Sequence, residues 1–98
     1  MGLIQKFLHA ASKWKNPTRV MIPAELVSLL RRMQADEATH REWDYFQALT
    51  LSDPRLDAIR EIVAPLDGPG FEPAADPTLA MAIARAEEVL AADAAHGS

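Results

Sequence analysis

The sequence predicts an all-α domain, a small bundle of about four helices with one short extended segment near residues 18–22 and a proline-rich loop at 65–77. Three observations carry that prediction. Apolar side chains recur at spacings of three and four along most of the chain, the period of a helix buried on one side. Prolines 17, 23, 54 and 77 sit where helices stop or start, and the stretch from Pro65 to Pro77 holds four prolines and two glycines. Only Thr18 to Ile22 alternates with period two, with Arg19 and Met21 on one side and Val20 and Ile22 on the other.

The elements follow in chain order. Leu3, Ile4, Phe7, Leu8, Ala11 and Trp14 form the apolar face of an amphipathic helix over Leu3–Lys15, which should stop near Asn16 because Pro17 disfavours helical geometry before it. Pro23 suits the first position of the next helix, where its missing N–H costs nothing. Leu26, Val27, Leu29, Leu30 and Met33 give that helix its stripe, with Arg31 and Arg32 off its centre. Asp36 to Arg41 interrupts the stripe, and Trp43, Phe46, Ala48, Leu49 and Leu51 resume it with shifted phase. Because the interruption holds no Gly or Pro, and Glu37 and Arg41 are spaced to pair on a helix, the expectation is one long helix. Ser52-Asp53-Pro54 caps a further helix with Leu56, Ile59, Ile62 and Val63 buried. Phe71 is the one large anchor for the loop at 65–77. Asp76-Pro77 opens the last helix, with Leu79, Ile83, Ala86 and Leu90 on one face and fraying expected from Ala91 onward.

At 98 residues the chain forms one domain, 1–98, with 92–98 as a frayed tail. A domain of this size buries roughly 60 to 65% of its unfolded surface, so association is a live route to stability. The chain has no cysteine, which removes disulfides and thiolate chemistry. No apolar run approaches the ~20 residues of a membrane span, the start lacks a secretory signal, and Lys6 stands where a myristoylation motif wants Ser or Thr. A small acidic cytoplasmic protein is the expectation.

Charge is strongly polarised. Residues 1–35 carry six basic side chains against Glu25, a net +5, whereas the remainder carries thirteen acids against four arginines, a net −9. Such a field shapes association without naming a reaction. The basic amphipathic Leu3–Lys15 has the composition of a helix that lies on anionic lipid or docks on a partner, though a first helix packed in a bundle is the plainer reading. Glu37, His40 and Asp44 share a helical face at spacings common to metal sites, though a solvated face paired to Arg41 is the plainer reading. Trp43 and Phe46 share a face suited to the core, and Tyr45 points elsewhere. No phosphate loop, cysteine nucleophile or serine with an identifiable base is present in the sequence.

The segment Arg19-Val-Met-Ile-Pro-Ala-Glu-Leu26 is similar, over eight residues, to the strand-to-helix connection of ribbon-helix-helix DNA-binding proteins. That resemblance implies a dimer with paired strands, in which Arg19 and Met21 face outward to read bases. The chain departs from the family in lacking the glycine-containing turn after the first helix, and a net −9 beyond residue 35 opposes phosphate approach.

The functional expectation is a non-enzymatic interaction or adaptor module, monomeric or homodimeric, that docks amphipathic helices on a macromolecular partner. No cofactor or metal is expected, and the contact residues are Lys6, Phe7, Lys13, Trp14, Trp43, Tyr45 and Phe46. The alternatives are a ribbon-helix-helix-like DNA-binding regulator and a peripheral protein that uses its basic first helix on anionic membrane. Surplus amphipathic surface on a chain with little core motivates the interaction reading.

Overall fold

A computed structural model describes residues 18–96. The helix expected over Leu3–Lys15 lies outside the described residues. The elements are β1 (Thr18–Arg19), α1 (Pro23–Gln34), α2 (His40–Ala48), β2 (Thr50–Leu51), α3 (Pro54–Val63), a 3-10 turn (Ala64–Leu66) and α4 (Pro77–His96). Helices α1 and α3 both pack along α4, and α2 closes the end nearest α3 and the 3-10 turn.

The all-α prediction holds, with four helices among the described residues, but one of its elements is wrong. The long helix expected from residue 24 to 51 is two helices. Helix α1 ends at Gln34, and Asp36 takes the left-handed conformation at φ 58° that glycine usually supplies. Its N–H donates to the Met33 carbonyl at 3.1 Å and the Glu37 N–H to the Arg32 carbonyl at 2.8 Å, which satisfies the last carbonyls of α1 in a Schellman arrangement. Helix α2 is then capped by Thr39, whose hydroxyl accepts the Glu42 N–H at 3.1 Å while the Glu42 carboxylate accepts the Thr39 N–H at 3.1 Å. A cap on each side of residues 35–39 therefore outweighs a lone Glu37–Arg41 pair.

Leu51, expected on that helix, belongs instead to a two-residue strand. Leu49 is extended, and β2 runs parallel to β1 with Thr18 opposite Thr50 and Arg19 opposite Leu51. The extended segment that the sequence marks at 18–22 thus has a partner that the sequence did not reveal. The parallel pair needs a long connection, which α1 and α2 provide.

Other expectations hold in detail. Pro23 and Pro54 begin their helices, the Asp53 carboxylate accepts the Arg55 N–H at 2.9 Å, and Asp76 accepts the Leu79 N–H at 2.9 Å. Phe71 anchors the proline-rich loop by standing edge-on to Trp43, ring centroids 5.6 Å apart. The last helix, however, continues to His96 past the fraying point expected at Ala91. The Arg55 guanidinium, held by Asp53, donates to Asp93 at 2.8 Å across the α3–α4 seam.

One core runs through the molecule. Leu26, Leu30, Met33, Phe46, Leu56, Val63 and Leu79 are fully buried, each contributing on the order of 1.5–3 kcal/mol by leaving water. At its edge lies a polar knot. Arg60, only 9% exposed, donates from Nε to Asp57 at 2.7 Å and from Nη1 to the Gln47 carbonyl at 3.2 Å, and Gln47 donates to the Ala64 carbonyl at 2.7 Å. Asp57 Oδ1 also accepts the Leu51 N–H at 2.9 Å. The next amide, Ser52, donates to the Arg19 carbonyl at 3.0 Å, so the knot extends through β2 to β1.

Four stability outcomes follow from this geometry. Leu56→Ala lowers the unfolding free energy by about 2–5 kcal/mol in urea titrations, and Thr39→Ala by about 1 kcal/mol. Asp36→Val costs about 1–2 kcal/mol whereas Asp36→Gly costs nothing; equal losses contradict the left-handed turn. The hydrogen bond from Arg60, with help from the Leu51 N–H, holds the Asp57 carboxyl below its ordinary range against desolvation. A depressed folded-state pKa stabilises above the unfolded value of ~3.9 and is lost as pH falls through the folded value, so Asp57→Asn flattens the acid limb of stability.

Candidate functional site

The extended segment after β1 passes over the junction of α1 and α2, and a cleft of about 230 Å³ opens between the three. Met21, Leu29, Phe46 and Leu49 give it an apolar floor. Two ion pairs form its rim. Arg19 reaches Glu25 at 3.5 Å, and the Arg32 guanidinium grips both carboxylate oxygens of Glu42, the Nη1 bond being 3.2 Å. Tyr45 stands beside them, 47% exposed.

Local structure explains each placement. Glu25 reaches back to accept the Ile22 N–H at 3.3 Å, which fixes the turn from the extended segment into α1 and holds the carboxylate near Arg19. Glu42 sits at the third position of α2 because Thr39 caps that helix, and this brings it to Arg32 in the last turn of α1. The bond from Arg32, reinforced by the Thr39 N–H, holds the Glu42 carboxyl below its usual range, and the same contact raises Arg32. Alternation along residues 18–22 turns Arg19 and Met21 toward the cleft. It leaves Val20 and Ile22 on the other face, 76% and 55% exposed.

Among the described residues, Val20, Ile22, Tyr45 and Met81 are the exposed large hydrophobics, and of these Tyr45 lines the cleft. Of the residues expected at a contact surface, Tyr45 is at the surface. Phe46 is buried beneath the cleft and Trp43 is buried against Phe71, so the aromatic cluster is split between floor, core and rim. Lys6, Phe7, Lys13 and Trp14 lie outside the described residues. Met21, which the ribbon-helix-helix resemblance places outward, is buried, and Arg19 is exposed but paired with Glu25.

Sequence reasoning missed Val20, Ile22 and both rim ion pairs. A usable signal was Thr39-x-x-Glu42, which marks a helix start and would have placed Glu42 opposite the end of α1.

A second cleft of about 210 Å³ is lined by Asp36, His40 and Asp67 above Trp43 and Phe71. Here the shared helical face that spacing gave Glu37, His40 and Asp44 comes apart: Glu37 lies in the turn between helices, outside the helix that carries His40 and Asp44. No group of three or more metal-ligating side chains occurs among the described residues. No described helix is long and apolar enough to cross a membrane.

Comparison with protein-family models, with curated proteins and with solved structures finds no match for this chain.

The Arg32–Glu42 geometry predicts a titration. Arg32→Gln raises the midpoint of the Glu42 carboxyl toward ~4.3, read by carbon-detected NMR, because the partner that favours its ionised form is gone. The pairing strengthens the α1–α2 contact above that pH and is lost as pH falls through the depressed value. An unchanged midpoint contradicts the pair.

Proposed function

We propose that this chain is a non-enzymatic interaction module whose contact surface is the cleft between α1 and α2 together with the flanking Val20 and Ile22. The observation that carries this reading is a cleft with an apolar floor, a charged rim and the exposed Tyr45 in its lining, one wall of which is a segment that also exposes Val20 and Ile22 on its other face. That pattern, aromatic and aliphatic anchors beside a pocket and polar groups around it, is the anatomy of a protein contact site. The cleft suits a large apolar side chain projecting from an amphipathic segment, since each ionic group on its rim already has a partner and asks no countercharge of the occupant.

Catalysis has less support. The polar groups of the main cleft neutralise one another.

Site-specific photo-crosslinking in the native host tests the reading. A photoreactive phenylalanine at Ile22 or Tyr45 is expected to give adducts with one partner protein or a second copy of the chain. The same residue at Arg85, on the exposed face of α4, gives none. Equal adducts at all three positions, or none at any, overturn the proposal.

A further inference from the structure

The second cleft differs from the first in how its charges stand. Asp36, in the turn between α1 and α2, and Asp67, just after the 3-10 turn, line it from segments distant in sequence, with His40 beside them. The rim of the first cleft is closed by two ion pairs, whereas neither the Asp36 nor the Asp67 carboxylate has an ion-pair or hydrogen-bond partner among the described residues. Trp43 forms the wall between them. It is only 6% exposed, yet its indole N–H makes no hydrogen bond among the described residues. No unpartnered polar side-chain atom there is sealed from solvent, so this donor opens to water, and the second cleft is the one that Trp43 lines. We infer that this cleft binds the α-ammonium end of a peptide, with Asp36 and Asp67 accepting from the charged amine and the Trp43 indole N–H donating to the carbonyl oxygen of the same residue.

Each feature narrows the ligand. Two unpaired carboxylates, in a part of the chain that carries a net −9, attract a cation and repel a carboxylate, which disfavours a free amino acid. No three metal-ligating side chains converge among the described residues, so the two acids suit a group wider than a bare metal ion. The indole N–H is a donor only and asks for an acceptor. A lysine side chain carries its ammonium on four methylenes and offers none, whereas a peptide terminus holds ammonium and carbonyl on one carbon. Phe71, edge-on to Trp43, and the neighbouring Ala38 and Pro73 supply an apolar edge for the first side chain. The two clefts share no lining residue, so this site stands or falls apart from the functional reading.

NMR titration of the full chain with alanyl-phenylalaninamide tests the assignment, read at the Trp43 indole N–H and at the Asp36 and Asp67 carboxyl carbons. The chain has two tryptophans, and Trp14→Phe assigns the Trp43 signal. Saturable shifts at all three groups are expected, and the N-acetylated dipeptide amide is expected to give none. Asp67→Asn and Asp36→Asn should each weaken binding roughly fivefold or more by removing a charge-assisted acceptor. Asparagine tolerates the left-handed conformation at position 36, so both variants keep the fold, which an unchanged pattern of core amide signals verifies. Absence of saturable shifts, equal binding of the acetylated form, or undiminished binding by both folded variants overturns the proposal. So does tighter binding of Nα-acetyl-lysine methylamide, which would assign the cleft to a basic side chain, or of free alanine, which would assign it to an amino acid.

Discussion

Asp57 is the residue on which the arrangement of the cleft depends. One carboxylate oxygen accepts both the Leu51 amide and the Arg60 guanidinium, and Arg60 in turn holds the last turn of α2 through Gln47. A buried arginine is costly unless it is paired and hydrogen-bonded, so these contacts form as a set or not at all. They have a directional consequence. With Leu51 fixed by a side chain on one edge, its strand presents the other edge to Arg19, and the parallel register follows. The segment that continues from Arg19 then lays Met21 over α1 and α2. A two-residue strand pair has little stability of its own, and here it inherits that of the α3 side chains that hold it.

Charge is handled in the same way. The arginines at the basic end of the described chain are each matched within it: Arg19 with Glu25, Arg31 with Glu87 on α4 at 2.8 Å, and Arg32 with Glu42 on α2. Two of those three carboxylates come from the acidic remainder, so the polarity seen in the sequence is partly closed inside the fold. Exposed pairs of this kind add little stability individually and chiefly fix which helix faces meet.

Much of this fold was legible in the sequence because its strongest signals are local. The cap-and-proline starts at Asp53-Pro54 and Asp76-Pro77 and the stripes Leu26–Met33 and Leu79–Ala86 depend on near neighbours in the chain, and Phe71 stood out as the one large apolar residue in its loop, though its partner Trp43 is distant in sequence. The break at Asp36 was hidden because an aspartate did the work of a glycine. The strand at Thr50–Leu51 was hidden because its partner is about thirty residues away and its key acceptor is a side chain. The cleft depends on both of those features. Its pieces, Arg19, Arg32, Glu42 and Tyr45, are unremarkable in sequence and become a site only when α1 and α2 separate and β1 is drawn across their junction.

The cleft is therefore a product of the α3 knot acting through β2. Native-state hydrogen exchange on the full chain, comparing the unmodified protein with Asp57→Ala, tests this most directly. The account predicts that the Leu51 and Ser52 amides lose protection together and that the Met21 and Tyr45 resonances shift with them, while the central amides of α1 and α4 keep their relative order of protection. Retained protection at Leu51 and Ser52, or loss spread evenly over all four helices, would contradict it.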